Sequence, residues 1–193
     1  MSNKEIFIET YNKNIHRPGA EKLLAWLEGT DFFTAPASTR FHAAYEGGLL
    51  DHSLNVYNVL ISKHFNPETD DLESYTIVSL LHDLCKANYY KPGTRNVKNE
   101  ATGQWEKVPS YSVEDLFPYG HGEKSVFLIE RFMKLKVEEA VAIRWHMGGF
   151  DDAARGGCFA ISEAYDKYPL AVKLHIADLQ ATYLMEHRTS NMR

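Results

Sequence analysis

The segment Ser79-Leu80-Leu81-His82-Asp83-Leu84-Cys85-Lys86 decides how the rest of the chain is read. It closes an apolar stretch that opens near Asp70, where Glu73 three residues on suits a capping box. Ile77, Leu81 and Leu84 continue that stretch at helical spacing. One imidazole and one carboxylate stand near its end. Buried without partners, both would be costly. Two readings are open at this point. A divalent cation satisfies both groups, because neutral imidazole and carboxylate are good ligands for first-row metals. Alternatively, the pair ends a helix and reaches water.

Working outward, a helix is expected over 48–64, with an apolar stripe of Leu50, Leu54, Tyr57 and Ile61 and a break at Asn66-Pro67. A short helical pattern covers 21–27, and 32–40 reads as a connection. Residues 88–111 suit a two-stranded excursion turning near Asn99 to Gly103. Helices are expected again at 122–133 and 137–147. The second has Glu138 and Glu139 in its first turn and is ended by Gly148-Gly149. Pro169 opens the last helix, with a core stripe of Leu170, Leu174, Ala177, Ala181 and Leu184. The expected fold is all-α, a helical bundle with a small β-hairpin insertion, in one domain over 1–193.

Composition narrows the function classes. A net charge of −5 disfavours a long nucleic-acid duplex as partner, since phosphate binding needs clustered cations. No apolar run reaches the roughly 18 residues of a membrane span. Lys4, Glu5 and Glu9 do not suit a signal peptide, so a cytoplasmic location is expected. Cys85 and Cys158 have no CxxC spacing and are expected to be reduced, partly buried thiols.

Nine histidines remain, and their positions matter. His52 lies one turn into its helix, after Gly47-Gly48. His121 is flanked by Gly120 and Gly122, and His146 ends a helix. Asp178 sits mid-helix, on a face with Ala171, His175 and Thr182, where aspartate has poor propensity and a partner is expected.

The order His52, His82-Asp83, His121, His146, Asp178 resembles the HD superfamily of metal-dependent phosphohydrolases. Residues 41–53, with His42 upstream, a double glycine and then His52, are similar to the first motif of a bacterial 3′–5′ exoribonuclease subgroup. His82-Asp83-Leu84-Cys85-Lys86 resembles the HD-x-x-K form of cyclic-dinucleotide phosphodiesterases. The likeness spans 41–182. It implies an HD-type helical bundle in which His52, His82, Asp83 and Asp178 hold one metal. Asp83 then bridges to a second metal, held also by His121 and His146. Two divalent transition metals per chain, iron or manganese, would activate a water for attack on phosphorus. Lys86 would contact a substrate phosphate or the leaving oxygen; equally, it is a cation that favours a helix C-terminus. There is no Gly-Tyr-Pro motif of the cyclic-diguanylate enzymes.

The expected activity is hydrolysis of a phosphomonoester or phosphodiester bond in a nucleotide or short oligonucleotide. The alternative is a non-catalytic nucleotide-binding or sensor module. His42 and Tyr45 are candidates to line the pocket, or to pack. Arg144 is a candidate phosphate contact, with a salt bridge as the other reading. His175 is expected behind a ligand rather than as one. Trp105 and Trp145 are expected to pack, and His16, His64 and His187 to be surface residues. Arg95 and Lys98, in a locally basic insertion with Lys91 and Lys107, are candidates to bind substrate phosphates from a lid. The other reading is a solvated hairpin whose cations protect an exposed edge.

Overall fold

The computed structural model describes residues 1–186, so the expectation for His187 lies outside the described residues. The chain is helix-rich with one two-stranded antiparallel sheet, as the sequence pattern requires. Helix α1 spans Asn3–Asn14, α2 Ala20–Glu28, α3 Gly48–His64 and α4 Leu72–Leu81. Strands β1 (Tyr90–Lys98) and β2 (Trp105–Val113) follow, then α5 (His121–Glu130), α6 (Val137–Trp145), α7 (Asp152–Arg155), α8 (Ala160–Lys167) and α9 (Pro169–Gln180). Helices α3, α4, α6 and α9 pack against one another around a core that includes Leu49, Leu60, Ile77, Leu81, Ile143 and Leu174. No helix among the described residues is long and apolar enough to cross a membrane.

Several expectations need correction. Helix α1 was not anticipated, although Ser2 and Glu5 form a reciprocal capping box at its start. Helix α4 is capped by Asp71, whose carboxylate accepts from Glu73 N, and it stops at Leu81 instead of running through Leu84. Asp83 leaves helical geometry (φ −98°, ψ 20°), and Leu84–Lys86 form a 3-10 turn. After Gln180 the chain widens into a π-helical turn, Ala181–Met185, closed by Glu186 N donating to Ala181 O. The wider turn shifts the register, so Leu184 points outward at 77% exposure instead of continuing the core stripe. Trp105 is 70% exposed on the hairpin and does not pack, whereas Trp145 is buried. Cys85 is buried but Cys158 is exposed. His16 is exposed, and His64 is half-buried with Nε2 3.4 Å from Gln180 Oε1.

The hairpin turns at Asn99 to Gln104 as expected and runs two residues beyond 111, with Tyr90 paired to Val113. Tyr90 Oη donates to Ala37 O, tying its base to the connection before α3.

Two close backbone approaches fix the positions of α3 and α5. A Cβ on Gly48 would lie 2.0 Å from Ala43 O, and one on Gly122 would lie 2.3 Å from Arg144 O. The second contact sets α5 against α6 and keeps the His121 and His146 rings 5.1 Å apart. Gly122→Ala is therefore expected to cost about 1–3 kcal/mol, because neither backbone can yield without moving its histidine. Urea unfolding measures this directly; a midpoint equal to that of the wild type would contradict the packing argument.

Candidate metal centre

The six sequence-derived ligand candidates converge from five local settings. His52 comes from the second turn of α3. His82 and Asp83 occupy the break after α4. His121 opens α5, His146 caps α6, and Asp178 lies near the end of α9. Their polar atoms converge. His52 Nε2 stands 3.2 Å from His82 Nε2, 3.3 Å from Asp178 Oδ1 and 3.5 Å from Asp83 Oδ2. His82 Nε2 is 3.5 Å from the same Asp83 oxygen. The other Asp83 oxygen, Oδ1, lies 2.8 Å from His121 Nε2 and 3.5 Å from His146 Nε2. Asp83 thus faces two groups at once, one oxygen to each. His52, His82 and His146 are at most 1% exposed, while His121 keeps 30% of its side chain open.

The imidazole orientations are set from behind. His82 Nδ1 donates to Ser79 O at 2.9 Å and His146 Nδ1 to Ile143 O at 2.7 Å. A carbonyl can only accept, so each Nδ1 carries a proton and each ring turns its Nε2 inward. Those carbonyls are free because they end their helices. His146 Nε2 is buried and makes no hydrogen bond among the described residues. His121 Nδ1 meets a thiol instead, Cys85 Sγ at 3.4 Å, and Cys85 N is in turn held by Ser125 Oγ.

The donor set fits divalent cations. Imidazole and carboxylate ligands at roughly 2.0–2.2 Å from a common ion lie roughly 3.0–3.5 Å from one another, the spacing these atoms show. Within four groups of three the candidate ligand atoms all lie within 4.8 Å. Three groups draw on the six residues above, and the fourth joins His42, His52 and Glu186.

In the structure, protonated side chains supply the positive charge that these carboxylates demand. Burial works against an imidazolium at His52, but hydrogen bonds to Asp178 and Glu186 outweigh it and raise its pKa. Burial likewise opposes charge on His121, where Cys85 and Asp83 prevail and raise its pKa. At His82 burial outweighs the attraction of Asp83 and Asp178 and lowers the pKa strongly. Burial opposes the Asp83 carboxylate, yet Lys86, His82 and His121 hold it well below the ordinary range. Lys86 Nζ donates to Asp83 Oδ2 at 2.6 Å; burial opposes its charge and Asp83 sustains it.

The remaining candidates fall in distinct places. His42 lies beside the centre, its ring 5.0 Å from that of His52, with Nε2 buried and unpartnered among the described residues. Burial lowers its pKa to about 4, so the ring is neutral. Tyr45 is 43% exposed and donates to Asp51 Oδ2. Arg144 forms the salt bridge, to Glu123 (2.6 Å) and Asp151 (2.8 Å), and lies over the Trp145 ring. His175 Nδ1 donates to His146 O at 2.6 Å, which places it behind a candidate ligand. Arg95 and Lys98 stand five and eight residues along β1 from Tyr90, about 16 and 26 Å of extended strand from the anchored base. A cavity of about 480 Å³ opens beside His121, with Tyr89, Lys124, Arg144, Met147 and Phe150 among its walls.

The sequence reading missed Glu186 and Cys85 as site residues. Both sit behind candidate ligands, and neither has a spacing that betrays it. Compared with protein families, curated proteins and solved structures, the chain matches none.

Proposed function

We propose that this chain is a metal-dependent phosphohydrolase of the HD type, cleaving a phosphomonoester or phosphodiester bond in a nucleotide or short oligonucleotide. One observation carries the reading. The His82 ring is neutral with Nδ1–H bound to a carbonyl, so its Nε2 lone pair faces His52 Nε2 at 3.2 Å, with two carboxylate oxygens within 3.5 Å of His52 Nε2. Such a convergence calls for positive charge, which a bound cation would supply in place of the proton on His52.

His52, His82, Asp83 and Asp178 would hold one cation, and Asp83, His121 and His146 a second. When bound, such a pair supplies an activated water and neutralises charge on the phosphoryl oxygens. The chain supplies the rest. Lys86 carries a charge at the Asp83 carboxylate and can pass from it to a phosphoryl or leaving oxygen. His42 presents a neutral, unpartnered Nε2 beside the first position, and Tyr45 lies further out. The cavity next to His121, the most open histidine of the set, receives the organic part of the substrate, with Arg144 in its wall. Arg95 and Lys98 lie far enough along β1 to meet phosphates remote from the scissile one, which an oligonucleotide provides and a mononucleotide does not.

Protein purified without chelator is expected to carry close to two equivalents of iron or manganese. After reconstitution it should hydrolyse p-nitrophenyl phosphate or bis(p-nitrophenyl) phosphate. Elemental analysis finding no metal after reconstitution would sink the assignment. Metal bound without hydrolysis of any nucleotide, cyclic dinucleotide or oligonucleotide would leave a sensor module on the same scaffold.

A further inference from the structure

His52 differs from the other buried imidazoles in where its support comes from. His82 and His146 take theirs from the carbonyl three residues earlier, which a helix end leaves free. His52 is inside α3. The corresponding carbonyl, Leu49 O, is engaged within the helix and also accepts from Ser53 Oγ at 2.9 Å. No local acceptor is left for His52 Nδ1. The acceptor arrives 134 residues later: His52 Nδ1 lies 2.9 Å from Glu186 Oε1, and the Glu186 side chain is 3% exposed. Asn55 Nδ2 donates to the same oxygen at 3.2 Å and steadies it.

We infer that Glu186 is a positioning residue for the first cation position, holding His52 with its proton on Nδ1 and its lone pair on Nε2. The π-helical turn Ala181–Met185 is the device that delivers it. One continuous segment, α9 with its π extension, reaches both edges of the ring, with Asp178 Oδ1 3.3 Å from Nε2 and Glu186 Oε1 accepting from Nδ1 at 2.9 Å. Without Glu186 the neutral ring is free to place its proton on Nε2, which cannot then act as a ligand, or to rotate about its side-chain bonds. The inference rests on the cation-binding reading above and deepens it.

The test is Mn²⁺ titration of the metal-stripped full chain, followed by the electron paramagnetic resonance signal of free Mn²⁺. Glu186→Met keeps the side-chain length but has no strong acceptor; Glu186→Gln keeps an acceptor oxygen. Glu186→Met is expected to weaken one of the two equivalents by ~10–100-fold and leave the other within a few-fold. Glu186→Gln is expected to stay within a few-fold of the wild type. Circular dichroism of the metal-stripped variants should match the wild type. Should Glu186→Met fail to fold, Glu186→Asp substitutes for it, because it withdraws the carboxylate by one methylene and should weaken the same equivalent. Wild-type affinity in Glu186→Met, or equal losses in Met and Gln, would overturn the inference while leaving the metal centre in place. A wild-type chain that binds no Mn²⁺ at all would instead count against the reading of the centre itself.

Discussion

Asp83→Asn is expected to abolish hydrolysis and to strip most of the metal from the protein. Asp83 is 2% exposed and is the one among the six candidates whose two oxygens face different histidine pairs, Oδ2 toward His52 and His82 and Oδ1 toward His121 and His146. An amide keeps the shape but removes the charge that would be shared by two cations, and it turns an NH₂ toward one of them. Loss of a residue behind a ligand costs ~10–100-fold, so loss of the bridge should exceed that range. The helical far-ultraviolet spectrum should survive, since the apolar core makes no use of this carboxylate. Thermal stability of the metal-stripped protein should fall. The buried Lys86 ammonium, 12% exposed, loses its 2.6 Å partner, and a buried cation without its counter-charge is costly. Elemental analysis, turnover and a melting curve read these three effects separately. Full activity in Asp83→Asn would rule out the bridging role.

Arg17→Ala is expected to cost about 3–5 kcal/mol of stability, well away from the candidate metal centre. Arg17 lies between α1 and α2, and its guanidinium bonds both oxygens of Glu139 (2.7 and 2.8 Å), Glu73 at 3.2 Å and Lys134 O. The Glu139 side chain is fully buried, and it also accepts from Ser74 Oγ and Lys136 N. Without Arg17 that carboxylate loses its direct ion pair and keeps only neutral donors and the more distant charge of Lys136. The network joins the N-terminal segment to α4 and α6, so urea unfolding should shift as a whole rather than split.

Its pH dependence has a definite sign. Burial opposes the Glu73 carboxylate, but backbone donors at His16 and Arg17 and the guanidinium hold its pKa below the ordinary value. A carboxylate depressed in the folded state stabilises above its unfolded pKa, and that contribution is lost as pH falls through the folded one. The wild type should therefore lose stability on the acid side, below about pH 4.3. Arg17→Ala should show a flatter acid limb. An unchanged urea midpoint at neutral pH would contradict the structural role.

The six candidate ligands were legible in the sequence because each is a polar residue where helical patterning calls for an apolar one or where a helix should end. His82-Asp83 closes an apolar run, Asp178 interrupts another, and His121 and His146 sit at glycine-marked boundaries. The hairpin was legible for the same kind of reason, since Asn99 and Gly103 carry the backbone chemistry of a turn and alternation flanks them. Both signals are local, written within a few residues of the group concerned.

What the tertiary structure alone decided is set by contacts between distant segments. Glu186 reaches His52 only because the chain widens into a π turn, a change of register that periodicity does not announce and that also turns Leu184 out of the core. Arg144 could have faced a phosphate or an acid; Glu123, one helix away, and Asp151, just past its own helix, claimed it. Trp105 looked like a packing residue by composition, yet a two-stranded ribbon offers it no second layer to pack on. Cys85 gained its place behind His121 because Gly122 lets α5 approach α6 backbone to backbone and Ser125 Oγ then takes up Cys85 N. A sequence records which groups need a partner. Which partner meets the need depends on distances between helices, and those come from packing summed over the whole core.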